Sequence, residues 1–339
     1  MTPSSQPSHL PLDATTRGHM PSAAWMVGGA FRFDSHLLTI CHFLNTYYPP
    51  RAVACVAGTP PCAWALEMRG ARAMLSLERY VSLLRFYAEY KVGVVLVFDN
   101  PALAADSLQD VYAHRLVSTL LESAHNPTNR NAVCVASDEL AACLHERYPQ
   151  LRIICHPNRL ITAAVKRTPE YYEALEKKYH SIILHPRDAV SPALYTKLRH
   201  AGRYAAVVND PTPRNYPLRR ELLHLYAELH RRPWDGQLHQ SLERMLRTTG
   251  LTDTSNTCNL TRNEEAALYE AGVRSFVVQA SLLRNEITLF YDMMYHLLRT
   301  TPEHSNKAAL IASAGMAHIR ELEAEPPSGL NLFSLSDFK

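Results

Sequence analysis

The sequence predicts an α/β fold, a (β/α)8 TIM-like barrel with a long helical excursion after the seventh strand. Three observations predict it. About eight short apolar runs alternate with helical stretches between about residues 25 and 300. The runs are continuously apolar rather than alternating, which indicates strands buried on both faces and hence a parallel sheet. The strand–helix connections are short, and some eight units in one run of this length favour a closed barrel over a doubly wound sheet. No GxGxxG follows the first run and no GxxxxGK[ST] occurs anywhere, so neither nucleotide-binding fingerprint is present.

The elements follow in order. Ala24–Phe33 reads as the first strand, with Gly28 and Gly29 allowing close backbone approach. Asp34 or Ser35 can cap a helix through Leu37, Leu38, Cys41 and Leu44. Arg51–Ala57 is the second strand, and Leu75–Tyr90 an amphipathic helix with Leu77, Tyr80, Val81, Leu84, Tyr87 and Ala88 on one face. Gly93–Phe98 is the third strand and Ala105–Ser123 the next helix. Ala132–Ala136 is the fourth strand, and Ser137 caps a helix to about Tyr148. Leu151–Cys155 is the fifth strand, and Pro169 opens a helix to Tyr179. Ser181–Leu184 is the sixth strand, and Ser191-Pro192 starts another helix. Tyr204–Val208 is the seventh strand and stops at Asn209 and Asp210, before a proline-rich stretch.

The excursion then begins. Leu218–His230 reads as a helix and Pro233–Cys258 as a helix plus loop. Leu260–Ala271 is a helix with Thr261 and Glu264 at capping-box spacing and Gly272 as its stop. Val273–Gln279 is the eighth strand and Ser281–Leu298 a closing helix. The expected organisation is a disordered arm over 1–24, a barrel over 25–300 with the excursion at 211–258, and a C-terminal helix and loose tail over 301–339.

Bulk chemistry narrows the function classes. The 339 residues carry a formal charge of +3 with no long basic run, which argues against nucleic acid as a partner. No window approaches the roughly 20 apolar residues of a membrane helix, and the N-terminus lacks a signal peptide's basic start and apolar run. Seven cysteines, an odd number with no CxxC, suggest a reduced, cytoplasmic protein. No disulfide framework is expected.

In a parallel barrel, function collects where strands finish. The polar residues there are Arg32 and Asp34, Thr59 and Cys62, Asp99 and Asn100, Ser137 and Asp138, His156 and Arg159, His185, Arg187 and Asp188, Asn209, Asp210, Arg214, Asn215 and Arg219, and Gln279, with Ser137 and Asp138 read as helix caps. His156-Pro157 and His185-Pro186 repeat one local pattern, and each histidine could be a general base, a metal ligand or a hydrogen-bonded structural residue. Asp210 with Arg214 or Arg219 could orient an anionic substrate or simply pin the loop. A thiol nucleophile at Cys62 or Cys258 is a further option. The expected assignments are catalytic roles for His156, His185 and Asp210. Substrate-binding roles fall to Arg32, Asp34, Asp99, Arg187, Asn209, Arg214, Arg219 and Gln279.

The segment RYAAVVNDPTPRNYPLRRELLH resembles the motif after a strand in the collagenase-like U-type peptidase superfamily, with Asn209, Asp210, Asn215, Pro217 and Arg219 on the pattern. CNLTRNEEAALYEAGVRSFVVQ is similar to the stretch before that superfamily's last strand, through Leu260-Thr261, Glu264, Leu268, Ala271-Gly272-Val273 and Phe276. The resemblance implies a TIM barrel with peptidase-like or oxygen-independent hydroxylation chemistry. Relatives rich in cysteine are associated with an iron–sulfur cluster. Thr212 and Tyr216 stand where their cysteine pair would be, and Cys258 alone cannot supply about four thiolates, so no cluster is expected. Zinc is an option and no other cofactor is expected.

Two functions are in view. One is a biosynthetic or modifying enzyme, hydrolase or peptidase-like, acting on a small anionic or peptide substrate at the C-terminal mouth. The other is a catalytically degenerate barrel serving as a binding or scaffold subunit, with a protein partner on 211–258.

Overall fold

The structure is a computed structural model that describes residues 20–31, 37, 41, 45, 53–66, 76–123, 130–214, 219–232, 234–248, 257–280, 289, 292, 293 and 295–297. Eight parallel strands close into a barrel: β1 (Ala24–Gly28), β2 (Val53–Gly58), β3 (Gly93–Phe98), β4 (Ala132–Val135), β5 (Ile153–Cys155), β6 (Ser181–Ile183), β7 (Tyr204–Val207) and, late in the chain, β10 (Ser275–Val278). Strand β10 lies between β7 and β1, and its pairing of Ala24 with Ser275 closes the ring. The (β/α)8 expectation therefore holds.

Helices follow the strands. They are α1 (Leu77–Glu89), α2 (Val111–Glu122), α3 (Asp138–Arg147), α4 (Pro157–Thr162), α5 (Pro169–Leu175), α6 (Pro186–Ala189) and α7 (Pro192–Tyr195). Outward-facing strand residues such as Leu96, Val133, Ile153, Ile182 and Phe276 pack under this shell in one large core. Inward-facing residues form a second cluster of small and branched side chains: Ala57, Val95, Ala132, Cys134, Ile183, Ala205, Val207 and Val277. Met26, Cys55, Val97 and Ile154 join it only half-buried. Barrel interiors are ordinarily filled by bulky branched residues; here valine and isoleucine share the interior with alanine and cysteine.

Several local expectations change. The arm expected over 1–24 is overlapped by structure from Met20, which is buried, as is Ala23. The helix expected over Ala105–Ser123 is a 3-10 turn, Asp106–Gln109, followed by α2. Asp110 ends one and caps the other, its carboxylate accepting from Ala113 N at 3.0 Å. The helix expected to reach Tyr179 stops at Leu175. Two short helices, α4 and α6, stand where the sequence suggested only loops after strands.

The largest correction is in the excursion. Asn209–Pro213 forms strand β8, which pairs antiparallel with β9 (Thr257–Asn259). Prolines fit there because this is a two-stranded ribbon whose register shifts between Asp210 and Pro213. Cys258, expected in a loop, is therefore buried in a strand. Between the ribbon's strands lie α8 (Arg219–Arg231) and α9 (Gly236–Thr248), which pack together. Then comes α10 (Arg262–Glu270), with the expected capping box: Thr261 Oγ1 accepts from Glu264 N, and the Glu264 carboxylate accepts from Thr261 N at 2.8 Å. Gly272 follows with a φ of 103°, a left-handed stop that favours glycine. Gly28 is also required: a Cβ there would lie 2.5 Å from Ala280 N. The expected tail over 301–339 and most of the closing helix lie outside the described residues.

Candidate functional site

Side chains alternate along a strand, so the inward set can be extended past each strand's end. Val95 and Val97 are inward on β3, and Asp99 continues them. Ile154 leads in the same way to His156, Ile183 to His185, Val207 to Asn209, and Val277 to Gln279. One ring of polar groups therefore crowns the apolar interior.

Register places two of them in one row. Val97 pairs with Cys134 and Phe98 with Val135; Val135 pairs with Cys155. The ladder continues through Ala136 N to Phe98 O at 3.0 Å and His156 N to Val135 O at 2.9 Å. Asp99, Ala136 and His156 thus lie side by side. Two strand spacings put the backbones of Asp99 and His156 roughly 10 Å apart, with only a methyl group between them.

His156 and His185 are built alike. Each is the N-cap of a proline-started helix. Asn158 N donates to His156 Nδ1 at 3.1 Å, and Arg187 N donates to His185 Nδ1 at 3.1 Å. A ring nitrogen that accepts a hydrogen bond carries no proton, so the neutral imidazole holds its hydrogen on Nε2. Burial lowers the His156 pKa to about 4. Burial, and then the charges of Arg167, Arg219 and Arg187, lower that of His185 to about 2. Both rings are therefore neutral Nε2–H donors at physiological pH. Neither Nε2 meets a protein partner among the described residues.

Asp99 has the opposite character. It is half-buried, and burial lifts its carboxyl to about 6 against the pull of the Leu66 N–H, which donates to Oδ1 at 2.7 Å. Its own backbone N–H also acts on the carboxyl, and no other residue among the described ones bonds Oδ2. Asn158 Nδ2 donates to the Asp99 carbonyl at 2.9 Å, tying the ends of β3 and β5 together.

The remaining candidates are arranged differently. Asn209 is fully engaged: Nδ2 donates to Gln279 O at 2.9 Å and Asp292 Oδ2 at 2.8 Å, and Oδ1 accepts from Gln279 N at 2.7 Å. It staples the end of β7 to the end of β10, while the Gln279 side chain is half-buried with no partner among the described residues. Asp210, one step further along, is buried and paired with Arg219, which also donates to Cys258 Sγ at 3.6 Å. Arg214 does not pair with Asp210. It grips Glu264 with two nitrogens, at 2.8 and 2.9 Å, and donates to the carbonyls of Thr257 and Asn259. Arg187 is exposed and donates to Arg214 O at 2.8 Å. Arg32 and Asp34 lie outside the described residues.

Some partnerships escaped sequence reading, although Asp138, Arg159 and Asp188 stand among the strand-end residues. Asp138 is a hub, bound by Arg159 through two nitrogens, by Lys178 at 2.9 Å and by Tyr179 at 2.7 Å. Against the upward push of burial, those bonds hold its carboxyl far below the usual range. Arg167 pairs with Asp188 at 2.6 Å, which also accepts from Tyr172. Burial pushes the Cys62 thiol to about 12 and raises Cys258, so neither offers a thiolate. Among the described residues no three His, Cys, Asp or Glu side chains gather to hold a metal, and no helix is long and apolar enough to cross a membrane.

Over this mouth lies α8. Leu223 and Ala227, with Tyr226 at their edge, pack on Leu66, Ala102 and Ile161 in a cluster separate from the main core. Arg231 donates to Ala102 O at 2.6 Å. The helix thus bears on the loops that follow β2 and β3 and on α4.

No protein-family model and no curated protein matches the chain. A solved structure of a U32 peptidase is similar in fold, with 13% identity and a TM-score of 0.47, over 82% of this chain and 98% of that one. The likeness is one of fold and says nothing about chemistry.

Proposed function

We propose that the C-terminal mouth of the barrel is the active site of a modifying enzyme, hydrolytic and peptidase-like, that acts on a small anionic or peptide substrate. One observation carries this reading. His156 and His185 are held in one tautomer by their own helices and present Nε2–H groups from the inward face of adjacent strands. Two fixed, neutral donors suit an oxygen that becomes negative during reaction, as at an amide carbonyl. Arg187, exposed and close enough to act on His185, favours an anionic ligand through its field, whereas Arg167 and Arg219 are paired with Asp188 and Asp210.

The same capping bonds weigh against zinc bound through Nε2. A metal there needs the hydrogen on Nδ1, where these rings accept one. Free cysteines fit a reducing compartment such as the cytoplasm.

The test is incubation of the full chain with a pool of di- and tripeptides, followed by mass spectrometry. Hydrolysis of some members, weakened at least tenfold in His156→Gln and His185→Gln, is the expected result. A pool left intact sinks the reading. A second reading, a binding or scaffold subunit, draws on Trp234, which is 95% exposed between α8 and α9. An intact pool, together with partner capture from lysate that Trp234→Ala abolishes, would favour it.

A further inference from the structure

We infer that Asp99 is the proton-transferring residue of this mouth, acting on a water seated over Ala136 between Asp99 and His156. The inference rests on the hydrolytic reading above and names the residue that reading lacks. Asp210, the acid nearest the family-like motif, is closed off by Arg219 and sits out of phase with the inward set. Asp138 is bound on both oxygens, by Arg159, Lys178 and Tyr179. Asp188 is held by Arg167 and Tyr172. Asp99 alone among these continues the inward face and keeps an oxygen open.

Its setting suits the role. The Leu66 N–H fixes one oxygen, leaving Oδ2 as the reactive one. Asp99 lies close enough to the interior Cys134 for its charge to raise that thiol, so the carboxylate bears on the barrel's inside. Ala136 keeps the row between Asp99 and His156 open. A carboxyl poised near 6 can accept a proton at neutral pH and give it back.

The step balances without a cofactor. Oδ2 takes one proton from water as the water oxygen bonds to the carbonyl carbon. The carbonyl π pair moves onto its oxygen, which the histidine Nε2–H groups meet. Collapse breaks the C–N bond, and protonated Asp99 delivers its proton to the departing nitrogen. A carboxylic acid and an amine leave, and the acid then gives its remaining proton to solvent.

The experiment uses the full chain and the peptides hydrolysed from the pool. Asp99→Asn should lower kcat/KM about 100-fold or more, with KM little changed and the acid limb near pH 6 lost; Asp99→Glu should recover part of the rate. In protein labelled with 13C at aspartate Cγ, one resonance should titrate near pH 6 and vanish in Asp99→Asn. Ala136→Leu should abolish hydrolysis while that titration persists. Wild-type rates in Asp99→Asn, or titration of Asp99 below pH 5, would overturn the assignment alone. A pool with no hydrolysed member overturns the hydrolytic reading and the assignment together.

Discussion

At the scale of single residues, Asp99 and His156 pull stability in opposite directions across one pH window. The Asp99 pKa rises on folding from 3.8 to about 6, so its contribution is fully present below about 3.8 and is lost as pH climbs through 6. His156 falls from 6.5 to about 4, so its contribution is present above 6.5 and is lost as pH drops through 4. The two slopes largely cancel in the wild type. Asp99→Asn removes one of them. Its stability should climb more steeply from pH 4 to 6.5 than the wild type's, and should exceed it at pH 8 by roughly 2–3 kcal/mol, at about 1.4 kcal/mol per pKa unit. Urea denaturation at a series of pH values checks this; equal slopes for both proteins would refute it. A variant that is more stable yet less active is what a strained functional group produces.

At the scale of elements, the ribbon and α8 decide how the mouth is covered. Arg214 joins β8 to β9 and both to α10 through its paired contact with Glu264. Both side chains are partly exposed, so Arg214→Ala should cost only about 1–2 kcal/mol, and a double-mutant cycle with Glu264→Gln should find the two strongly coupled. Leu223 is buried in the small cluster under α8. Leu223→Ala should cost about 2–3 kcal/mol and speed hydrogen exchange at Leu66 N, the donor that holds Asp99. Unchanged exchange at Leu66 would mean that α8 does not support the site.

Legibility follows from the same elements. The barrel strands were readable because continuous apolar runs leave few other folds. Strand β8 was not, because two prolines in five residues read as a turn. Helices α4 and α6 are six and four residues long, too short to show a helical period, although the repeated His-Pro pair marked where they begin. Asp210 was favoured over Asp99 because a motif drew attention to it. Asp99 is legible as a substrate-binding residue at its strand's end, and counting by twos from Val95 and Val97 sets it on the inward face. Which imidazole nitrogen carries hydrogen depends on a backbone N–H two residues away, and no composition or spacing reports that.

At the scale of the whole molecule, the barrel is held to its closing helix by a buried pair. Glu265 on α10 is wholly buried and bonded to His296 Nδ1, itself 4% exposed. His296→Leu removes a hydrogen-bonding partner from that buried acid. It should cost about 3–5 kcal/mol, seen as a lower Tm, whereas Glu265→Gln with His296→Leu should recover part of the loss.

The closure of β1 against β10 has a consequence in time. Ala24 waits for Ser275, some 250 residues later, and the ribbon with α8 and α9 is synthesised between them. During translation at about 5–20 residues per second, β7 therefore stands as an open sheet edge for roughly 4–14 seconds and β1 for roughly 13–50. An emerging chain shorter than Val278 cannot close its ring. Nascent chains halted before β10 should be cut readily by protease, and those halted well beyond it should resist.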